Sequence, residues 1–386
     1  MNPFRSFVFF VLILLSALLM AGCAVSQVPT VLIMEDLEFE TRNYTLGQVE
    51  FSRTRTATLS AVGDILLHGT VYNSAKTPDG YDFGPMFEKI KPYLEQADIT
   101  VANSESIMGG SGIGVSTYPS FNSPFEIGDT LKDVGVDVVA MANNHTLDRG
   151  VRAIENAINR WDQIGMKRTG SYLSAEERDQ LTLMTANDIT FSFLAYTYAT
   201  NGVPTPAGRD YLVNRIDKDL IKADLQRAKE HSEVVVLNLH FGEEYQHMPN
   251  EQQIELAHFA AENGADLILG HHPHVLQPPA WIETTDGRKV YVIYSLGNFL
   301  SGQNKVPRQI GTIATITVEK TVGSGSAHIE LKDPSFTNTF VKNKNYSWFK
   351  IDLLENVHPE LNAKAKTHLT SWISDLEFID QSLHSQ

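Results

Sequence analysis

Three histidines fall within four residues of this sequence, in the segment His271-His272-Pro273-His274 that follows Gly270. Neutral imidazole is a common ligand of Mn, Fe, Zn and Ni. Three imidazoles are also costly to bury without polar partners, so packing alone does not account for the segment. Its composition therefore indicates a metal site or a catalytic site.

Other polar side chains stand where predicted strands end. They are Asp64, Glu105, Asn144, His145, His240 and Asn298. The carboxyl ends of parallel strands meet at one edge of a sheet, so we expect these side chains to converge with the histidine segment. Carboxylate, amide oxygen and imidazole together suit a divalent transition metal such as Mn, Fe, Zn or Ni.

Each of these positions also has a simpler interpretation when it is taken alone. Asp64 could cap a turn or a helix, and Asn143 with Asn144 could cap the next helix while His145 lies on the surface. Their succession at consecutive strand ends favours a shared site.

The elements that must position these residues alternate along the chain. Strands are predicted at 57–67, 99–105, 136–142, 233–239, 267–269, 290–294 and 312–319, with a hairpin at 181–198. Helices are predicted at 85–95, 151–161, 217–231, 251–263 and 360–382. Alternating strands and helices predict an α/β layered fold.

Composition excludes several classes of protein. The chain of 386 residues has 31 Lys and Arg against 46 Asp and Glu, a net charge of -15, and it lacks a basic run. Binding to nucleic acid requires a basic face, so we do not expect it here. With 1 cysteine, the chain can form neither a disulfide framework nor a Cys-ligated cluster.

The N-terminus has the pattern of an export signal. Arg5 precedes an unbroken apolar run, Phe7 to Met20, and Ala21-Gly22-Cys23 follows. The run is short for a membrane span and suits a signal peptide. The segment resembles a bacterial lipoprotein box, which predicts a signal peptide over 1–22, lipidation of Cys23 and a tether over 23–56. The mature protein would then be an extracytoplasmic lipoprotein anchored to the membrane; an uncleaved signal anchor is the alternative.

Six short motifs occur in a fixed order between Ala57 and Leu300. They are G-D, N-x-E, A-N-N-H-x-x-D-x-G, H-x-G-x-E-Y, G-x-H-P-H and S-L-G-N-F. In this order they resemble the bacterial capsule-synthesis family CapA, which is linked to poly-γ-glutamate. The family is similar to the calcineurin-like metallophosphoesterases, so the resemblance implies a four-layer αββα sandwich. We expect this domain over 57–305, with C-terminal strands and a helix over 306–386 packing on it.

The resemblance also implies roles for individual residues. The metal ligands would be Asp64, Glu105, Asn144, His240, His272 and His274. His145 would protonate the leaving group, and Asp148 would orient His145. Glu244, Asn298 and Arg149 are predicted substrate contacts.

Two departures leave the number of metal ions open between one and two. Leu66 stands where the related enzymes have a histidine ligand, and Asn103-Ser104-Glu105 replaces their G-D-x-x-D motif. A site with one metal ion, or a protein without phosphoesterase activity, is compatible with both changes.

Two functions of different classes follow from the resemblance. The first is a metal-dependent hydrolase or transferase at the cell surface, acting on an anionic polymer or on a phosphoester or amide substrate. The second is a non-catalytic accessory protein that holds or exports nascent polymer beside a membrane synthase. A vestigial metal site with an unrelated role in the envelope is a third interpretation.

Overall fold

Two β-sheets face each other in the computed structural model, which describes residues 52–323 and 327–380. The predicted signal peptide, Cys23 and the tether up to residue 51 lie outside the described residues. Within the described part, no helix is both long and apolar enough to cross a bilayer.

The elements are numbered in chain order. The strands are β1 (Arg53–Leu66), β2 (Lys76–Thr77), β3 (Gly80–Tyr81), β4 (Ile99–Asn103), β5 (Val138–Ala140), β6 (Lys167–Thr169), β7 (Thr182–Ala186), β8 (Ile189–Thr197), β9 (Val234–His240), β10 (Leu267–His271), β11 (Leu276–Glu283), β12 (Lys289–Leu296), β13 (Asn298–Ser301), β14 (Ile310–Val322), β15 (Ala327–Lys344), β16 (Ser347–Leu353) and β17 (Glu377–Phe378). The helices are α1 (Gly69–Ser74), α2 (Gly84–Phe87), α3 (Lys91–Leu94), α4 (Glu126–Asp133), α5 (Gly150–Gln163), α6 (Ala175–Arg178), α7 (Lys218–His231), α8 (Glu251–Glu262), α9 (Leu354–Val357) and α10 (Pro359–Leu369).

The first sheet has the strand order β16-β15-β14-β1-β4-β5-β6, and β13 and β17 pair with β1 and β15. Its strands β1, β4, β5 and β6 are parallel. The second sheet has the order β11-β12-β10-β9-β8-β7, in which β8, β9, β10 and β12 are parallel. Each sheet therefore gathers the carboxyl ends of its central strands along one edge.

The sheets pack through apolar side chains that their strands direct inward. Leu59 and Val101 of the first sheet belong to one buried cluster with Phe193, Val236 and Leu269 of the second. Full burial of side chains of this size contributes roughly 1.5–3 kcal/mol each. This layer holds the two strand edges in one place, which is where the site forms.

Helices cover the outer face of each sheet. In α5, Ile154, Ile158 and Trp161 recur at helical spacing and are buried against the first sheet. On the second sheet, Leu225 of α7 and Ala257 of α8 belong to the covering cluster. The order of layers is helix, sheet, sheet, helix, so the predicted four-layer α/β sandwich is confirmed.

Some predicted boundaries were wrong. Strand β1 begins at Arg53, inside the predicted tether, because it pairs with β14 from Arg53 opposite Val322 onward. The predicted helix at 85–95 is divided into α2 and α3, since Pro92 lacks an amide hydrogen and clashes with a preceding helical turn. The closing helix predicted at 360–382 ends at Leu369, and the short strand β17 follows.

Strand β11 was missed because it contains Pro278 and Pro279. Proline cannot donate to a sheet ladder, which argues against an internal strand. Strand β11 lies at the edge of the second sheet, beside β12 alone, where an unpaired side tolerates proline.

Candidate metal centre and adjoining cavity

The polar residues at the strand ends of both sheets meet in a buried cluster. Asp64 lies in β1 and Glu105 follows β4, while His240 ends β9 and His272 and His274 follow β10. The side chains of Asp64 and Glu105 are fully buried, and the three imidazoles are at most 3% exposed. The predicted convergence of these residues is thus observed, with ligand-type groups from both sheets.

Glu105 lies at the centre of the cluster. Its Oε1 is 3.5 Å from Nε2 of His240 and 3.7 Å from Nε2 of His274. The Nε2 atom of His240 is also 2.9 Å from Oδ1 of Asn144. These contacts bring the Asn144 amide, which follows β5, to the same point as the carboxylate and the imidazoles.

Asp64 forms the other side of the cluster. Its Oδ2 is 3.1 Å from Nδ1 of His274, a residue 210 positions away in sequence. Its Oδ1 accepts a hydrogen bond of 2.8 Å from Nδ2 of Asn103 and lies 3.4 Å from Nδ1 of His271. Asp64 therefore joins the end of β1 to the histidine segment of the second sheet.

The orientation of His274 is fixed by two oxygen acceptors. Its Nδ1 is 3.1 Å from Oδ2 of Asp64 and 3.1 Å from Oδ1 of Asn298. Strand β13 pairs with β1 so that Asn298 is opposite Asp64, which explains why both oxygens reach the same nitrogen. Because both neighbours accept, Nδ1 carries a hydrogen and Nε2 is the nitrogen turned toward Glu105.

Burial and neighbouring charges shift the pKa values of this cluster in opposite directions. Burial raises the pKa of Glu105 well above its usual value, and the nearby Asp64 carboxylate adds to the shift. Burial alone would also raise the pKa of Asp64, but hydrogen bonds with His271 and His274 hold it well below 3.8. Burial lowers the pKa of His274, yet Glu105 and Asp64 outweigh it and raise that pKa to about 9.

The other two imidazoles are neutral at pH 7. Burial, together with the charge of neighbouring His274, lowers the pKa of His272 to about 4. Burial and His272 likewise hold the pKa of His240 well below 6.5. Neutral imidazole is the form that binds a metal ion, so no proton has to leave these two rings before ligation.

Several buried polar atoms in the cluster accept or donate no hydrogen bond among the described residues. They are both carboxylate oxygens of Glu105, Nδ1 of His272 and Oδ1 of Asn103. Leaving such an atom unpartnered costs roughly 1–3 kcal/mol, so their accumulation at one point calls for a ligand. Their chemistry fits a divalent transition metal.

Ligand atoms from these residues form groups whose members lie within 4.8 Å of one another. One group is Glu105, His240 and His272, and a second is Asp64, Glu105 and His274. A third combines the exposed Glu244 with His272 and His274. Glu105 belongs to the first two groups, so a single carboxylate adjoins both positions. Leu66 is buried and offers no ligand atom.

The backbone of the histidine segment is strained. His272 has φ of 99° and His274 has φ of 58°, in the left-handed region that side chains avoid. Such conformations cost of order 1–3 kcal/mol each and persist where the surroundings fix them, often at functional sites. Gly270 is required for a different reason, since a Cβ there would lie 2.0 Å from the carbonyl oxygen of Tyr294.

His145 and Asp148 form a pair beside this cluster. Nδ1 of His145 is 2.7 Å from Oδ2 of Asp148, which also accepts a 2.7 Å hydrogen bond from the backbone N–H of Phe121. The Phe121 ring packs edge-on against the imidazole at 4.7 Å. The structure thus brings Asp148 to the position predicted for a residue that orients His145.

A cavity of about 390 Å³ opens onto this pair. It is lined by Tyr118, Pro119, Ser120, Asn144, His145, Asp148, Asn201, Val203 and Glu244. Asn144 therefore adjoins the cavity on one side and His240 on the other. A substrate in the cavity would contact the His145 ring and the edge of the buried cluster together.

Two predicted substrate contacts have other partners. The Arg149 guanidinium donates to the backbone oxygens of Ile113 and Gly114 and to Oγ of Ser116, and Arg149 does not line the cavity. It holds the 113–116 loop in place. Asn298 contacts His274, which makes it a positioning residue, whereas Glu244 does line the cavity.

Sequence reasoning missed four residues of the site. Asn103 and His271 both contact Asp64, although each stood inside a motif that had been identified. The Tyr198 ring lies 4.6 Å from the His272 ring, and Asn201 contacts both Asn144 and His145. Tyr198 follows β8, a parallel neighbour of β9, so the strand-end criterion could have found it.

Fold and site together define a four-layer α/β protein with a buried set of carboxylate, amide and imidazole groups where its strands end. The sequence model of the family described as bacterial capsule synthesis protein PGA_cap matches residues 58–303, and the chain belongs to this family. The family predicted from the six motifs is thereby confirmed.

Individual relatives agree with this assignment. The PGA biosynthesis protein CapA of Bacillus subtilis is 24% identical over 337 residues, which are 78% of this chain and 83% of that protein. The capsule biosynthesis protein CapA of Bacillus anthracis is 26% identical over 279 residues, covering 68% of this chain and 64% of that protein. The chain is a member of a capsule and PGA biosynthesis family.

Solved structures include distant matches. The calcineurin-like phosphoesterase YfkN of Bacillus subtilis has 14% identity and a TM-score of 0.46, covering 82% of this chain and 98% of that one. The NAD nucleotidase of Haemophilus influenzae has 10% identity and a TM-score of 0.45, and the match covers 85% of this chain and 65% of that one.

Proposed function

We propose that this protein is a metal-dependent hydrolase or transferase of anionic-polymer biosynthesis, held at the outer side of the membrane by a lipid on Cys23. The observation that carries the proposal is the state of Glu105. Its carboxylate is fully buried and accepts no hydrogen bond from a described residue, yet imidazoles of His240 and His274 face it. Such an arrangement is costly in a metal-free protein and favourable around a cation.

The residues that would hold the metal are the predicted set. They are Asp64, Glu105, Asn144, His240, His272 and His274. A divalent ion bound by them would supply an activated water at neutral pH and would polarise a phosphoryl or acyl oxygen. The hydrogen bonds of His274 to Asp64 and Asn298 would keep its ring oriented for ligation.

His145 would be the general acid of the reaction. Its Nδ1 is held by Asp148, and its Nε2 has no hydrogen-bond partner among the described residues. The ring lines the cavity, so this nitrogen can donate a proton to a leaving group there. Asp148 would stabilise the protonated ring and keep its plane fixed while the proton moves.

The substrate would be anionic, which the charge of the chain opposes. A protein with net charge -15 repels polyanions at long range. Positive charge must therefore be concentrated locally, and a bound metal ion would provide part of it. Phosphoesters and γ-glutamyl amides are the two substrate classes to compare.

Metal content tests the proposal directly. The full chain would be purified in detergent and its bound Mn, Fe, Zn and Ni measured beside His272→Ala and His274→Ala. His258→Ala is the matched control, since His258 is an exposed histidine on α8. We expect one or two ions per chain, lost in both site variants and retained in the control. Absence of metal after reloading would refute the hydrolase.

The lipid anchor needs its own test. Mass spectrometry of the mature N-terminus would detect an acylated Cys23, and Cys23→Ser would release the protein from the membrane fraction. A mature chain that keeps residues 1–22 would instead support the uncleaved anchor.

One observation favours a second function. Leu66 is buried at 2% exposure where the resemblance leads us to expect an imidazole ligand. The group of Asp64, Glu105 and His274 is therefore poorer in ligands than in the related enzymes. An accessory protein that binds polymer without cleaving it would tolerate this loss. Polymer production that survives His145→Ala would identify the accessory role, and its loss would favour catalysis.

A further inference from the structure

The hairpin of β15 and β16 carries a concentration of positive charge on this acidic chain. Lys342, Lys344 and Lys350 have their ammonium nitrogens 6.0, 4.8 and 5.3 Å from the centre of the Trp348 ring. Tyr346 lies at the tip. We call these five residues the Trp348 patch. Its two aromatic side chains are exposed, Tyr346 at 47% and Trp348 at 45%.

Sheet stability alone does not explain the patch. Lys342 and Lys350 are directly opposite each other in the pairing of β15 with β16, an arrangement that like charges disfavour. Each has a carboxylate partner, Asp352 for Lys342 and Glu88 for Lys350. Lys344 is exposed and has no carboxylate within ion-pairing distance among the described residues.

The backbone of the hairpin is also unusual. Asn345 and Tyr346 have φ of 50° and 60°, as a two-residue hairpin turn requires, whereas Trp348 has φ of 55° within β16, and bulky side chains rarely adopt this region. The fold therefore holds two large aromatic rings in solvent at a conformational cost. Strained residues of this kind cluster at functional sites, including sites that hold a ligand.

A single loop connects the patch with the metal centre. Nδ2 of Asn304 donates to the Tyr346 hydroxyl, and the backbone oxygen of Arg308 accepts from Nδ2 of Asn298, which orients His274. The loop also carries Lys305, which is exposed and has no ion pair among the described residues. Cationic side chains thus extend from the edge of the site to the hairpin.

Within this loop, the Arg308 guanidinium lies 3.2 Å from the centre of the Tyr245 ring. Arg308 has no carboxylate partner among the residues that the structure describes. Tyr245 in turn donates its backbone N–H to the carbonyl oxygen of Pro273, which lies in the histidine segment. Through Tyr245, Arg308 therefore links the cationic loop to that segment.

We propose that the Trp348 patch binds a polycarboxylate chain and leads it, past Lys305 and Arg308, toward the metal centre. The ammonium groups would bind carboxylates, and the Trp348 face would pack on the aliphatic and amide parts of the polymer. The identity of the polymer rests on the proposed function. A site of this kind also provides the local attraction that an acidic protein needs to capture a polyanion.

The test measures binding of poly-γ-glutamate to the full chain in detergent, by calorimetry at low and at moderate salt. Lys344→Glu is expected to weaken binding about tenfold and Trp348→Ala about fivefold. The matched controls are Lys289→Glu, an exposed lysine of the second sheet, and Trp372→Ala, an exposed tryptophan at 42%. Both should stay within about twofold, and wild-type affinity should fall as salt rises.

Three results would overturn the proposal. The first is that wild-type protein does not bind the polymer. The second is that the control variants lose as much polymer affinity as the patch variants. The third is patch-dependent binding to phosphatidylglycerol vesicles with polymer binding unaffected, which would make the patch a membrane contact. Binding of uncharged dextran serves as the negative control.

Metal content measured on the same samples separates this proposal from the function. A chain without metal whose polymer binding still depends on Trp348 would refute the hydrolase and support the patch. A chain that contains metal, and whose polymer binding is unchanged in Lys344→Glu and Trp348→Ala, would support the hydrolase and refute the role of the patch.

Discussion

His145 and Asp148 lie three positions apart and are joined by a 2.7 Å contact between Nδ1 and Oδ2. The same carboxylate oxygen accepts the backbone N–H of Phe121. Because a backbone group fixes this oxygen, the plane of the imidazole is fixed as well. Nδ1 carries a proton in this arrangement, so only Nε2 is left for proton exchange with the cavity.

The first prediction concerns this pair. His145→Ala should lower turnover by about 10²–10⁴-fold while metal content stays unchanged, because in the proposed mechanism the residue would supply a proton without ligating the metal. Asp148→Asn should lower it by about 10–100-fold, since the ring loses its charged partner. Turnover of a chromogenic phosphoester and metal analysis of the same samples provide the measurement. Loss of metal in His145→Ala would show that the residue is a ligand instead.

The second prediction concerns Glu105. Glu105→Gln should abolish metal binding and should lower the free energy of unfolding of the metal-free protein by about 1–3 kcal/mol, because the buried His274 imidazole loses the carboxylate that raises its pKa. Urea denaturation in EDTA measures this change. Glu243→Gln, at an exposed position beside the same site, is the control. A Glu105→Gln variant at least as stable as the unmutated metal-free protein would mean that Glu105 does not stabilise the charged His274 ring.

The third prediction concerns the close approach at Gly270. Gly270→Ala places a Cβ 2.0 Å from the Tyr294 oxygen, so β10 and β12 must separate, and we expect a loss of about 3 kcal/mol or more. Gly112→Ala is the control, since a Cβ there meets no atom within 4 Å. Thermal unfolding compares the two. Equal stability of both variants would contradict the strand spacing described above.

The fourth prediction concerns acid stability. Burial raises the pKa of Asp352, but hydrogen bonds from Lys89 and Lys342 outweigh burial and lower that pKa below 3.8. The stability that ionised Asp352 contributes to the folded protein is therefore present above pH 3.8, the pKa expected in the unfolded chain. It is lost as the pH falls through the lowered pKa of the folded state. Asp352→Asn should flatten this part of the stability profile from pH 5 to about 2. The control Asp133→Asn, in an exposed ion pair with Lys91, should leave the profile unchanged.

Much of the site was predictable from sequence because its residues follow recognisable strands. Val234–His240 is a buried strand whose residues are apolar apart from Asn238 and His240, and the His240 that ends it is a member of the cluster. The same logic identified Asp64 and Glu105. Where an apolar strand positions a side chain, the local sequence pattern is enough to predict the place of that side chain in the fold.

Other features depend on contacts that no local pattern records. Arg149 lies inside the motif of His145, yet its guanidinium binds the backbone of Ile113 and Gly114, residues distant in sequence. The role of Asn298 likewise depends on the register that sets it beside Asp64. The positions of these side chains depend on the pairing of strands that are distant in sequence. The periodicity of the sequence does not predict that pairing.

The 210-residue separation of Asp64 and His274 has a consequence for the order of events during biogenesis. A chain emerging from the ribosome or a translocon has its first carboxylate long before its last imidazole, so a partly completed chain offers no full coordination set. Loading of the proposed metal ion would have to wait until both sheets have folded and docked. An ion bound at the proposed site would consequently be selected by the compartment in which folding finishes, not by the one in which synthesis begins.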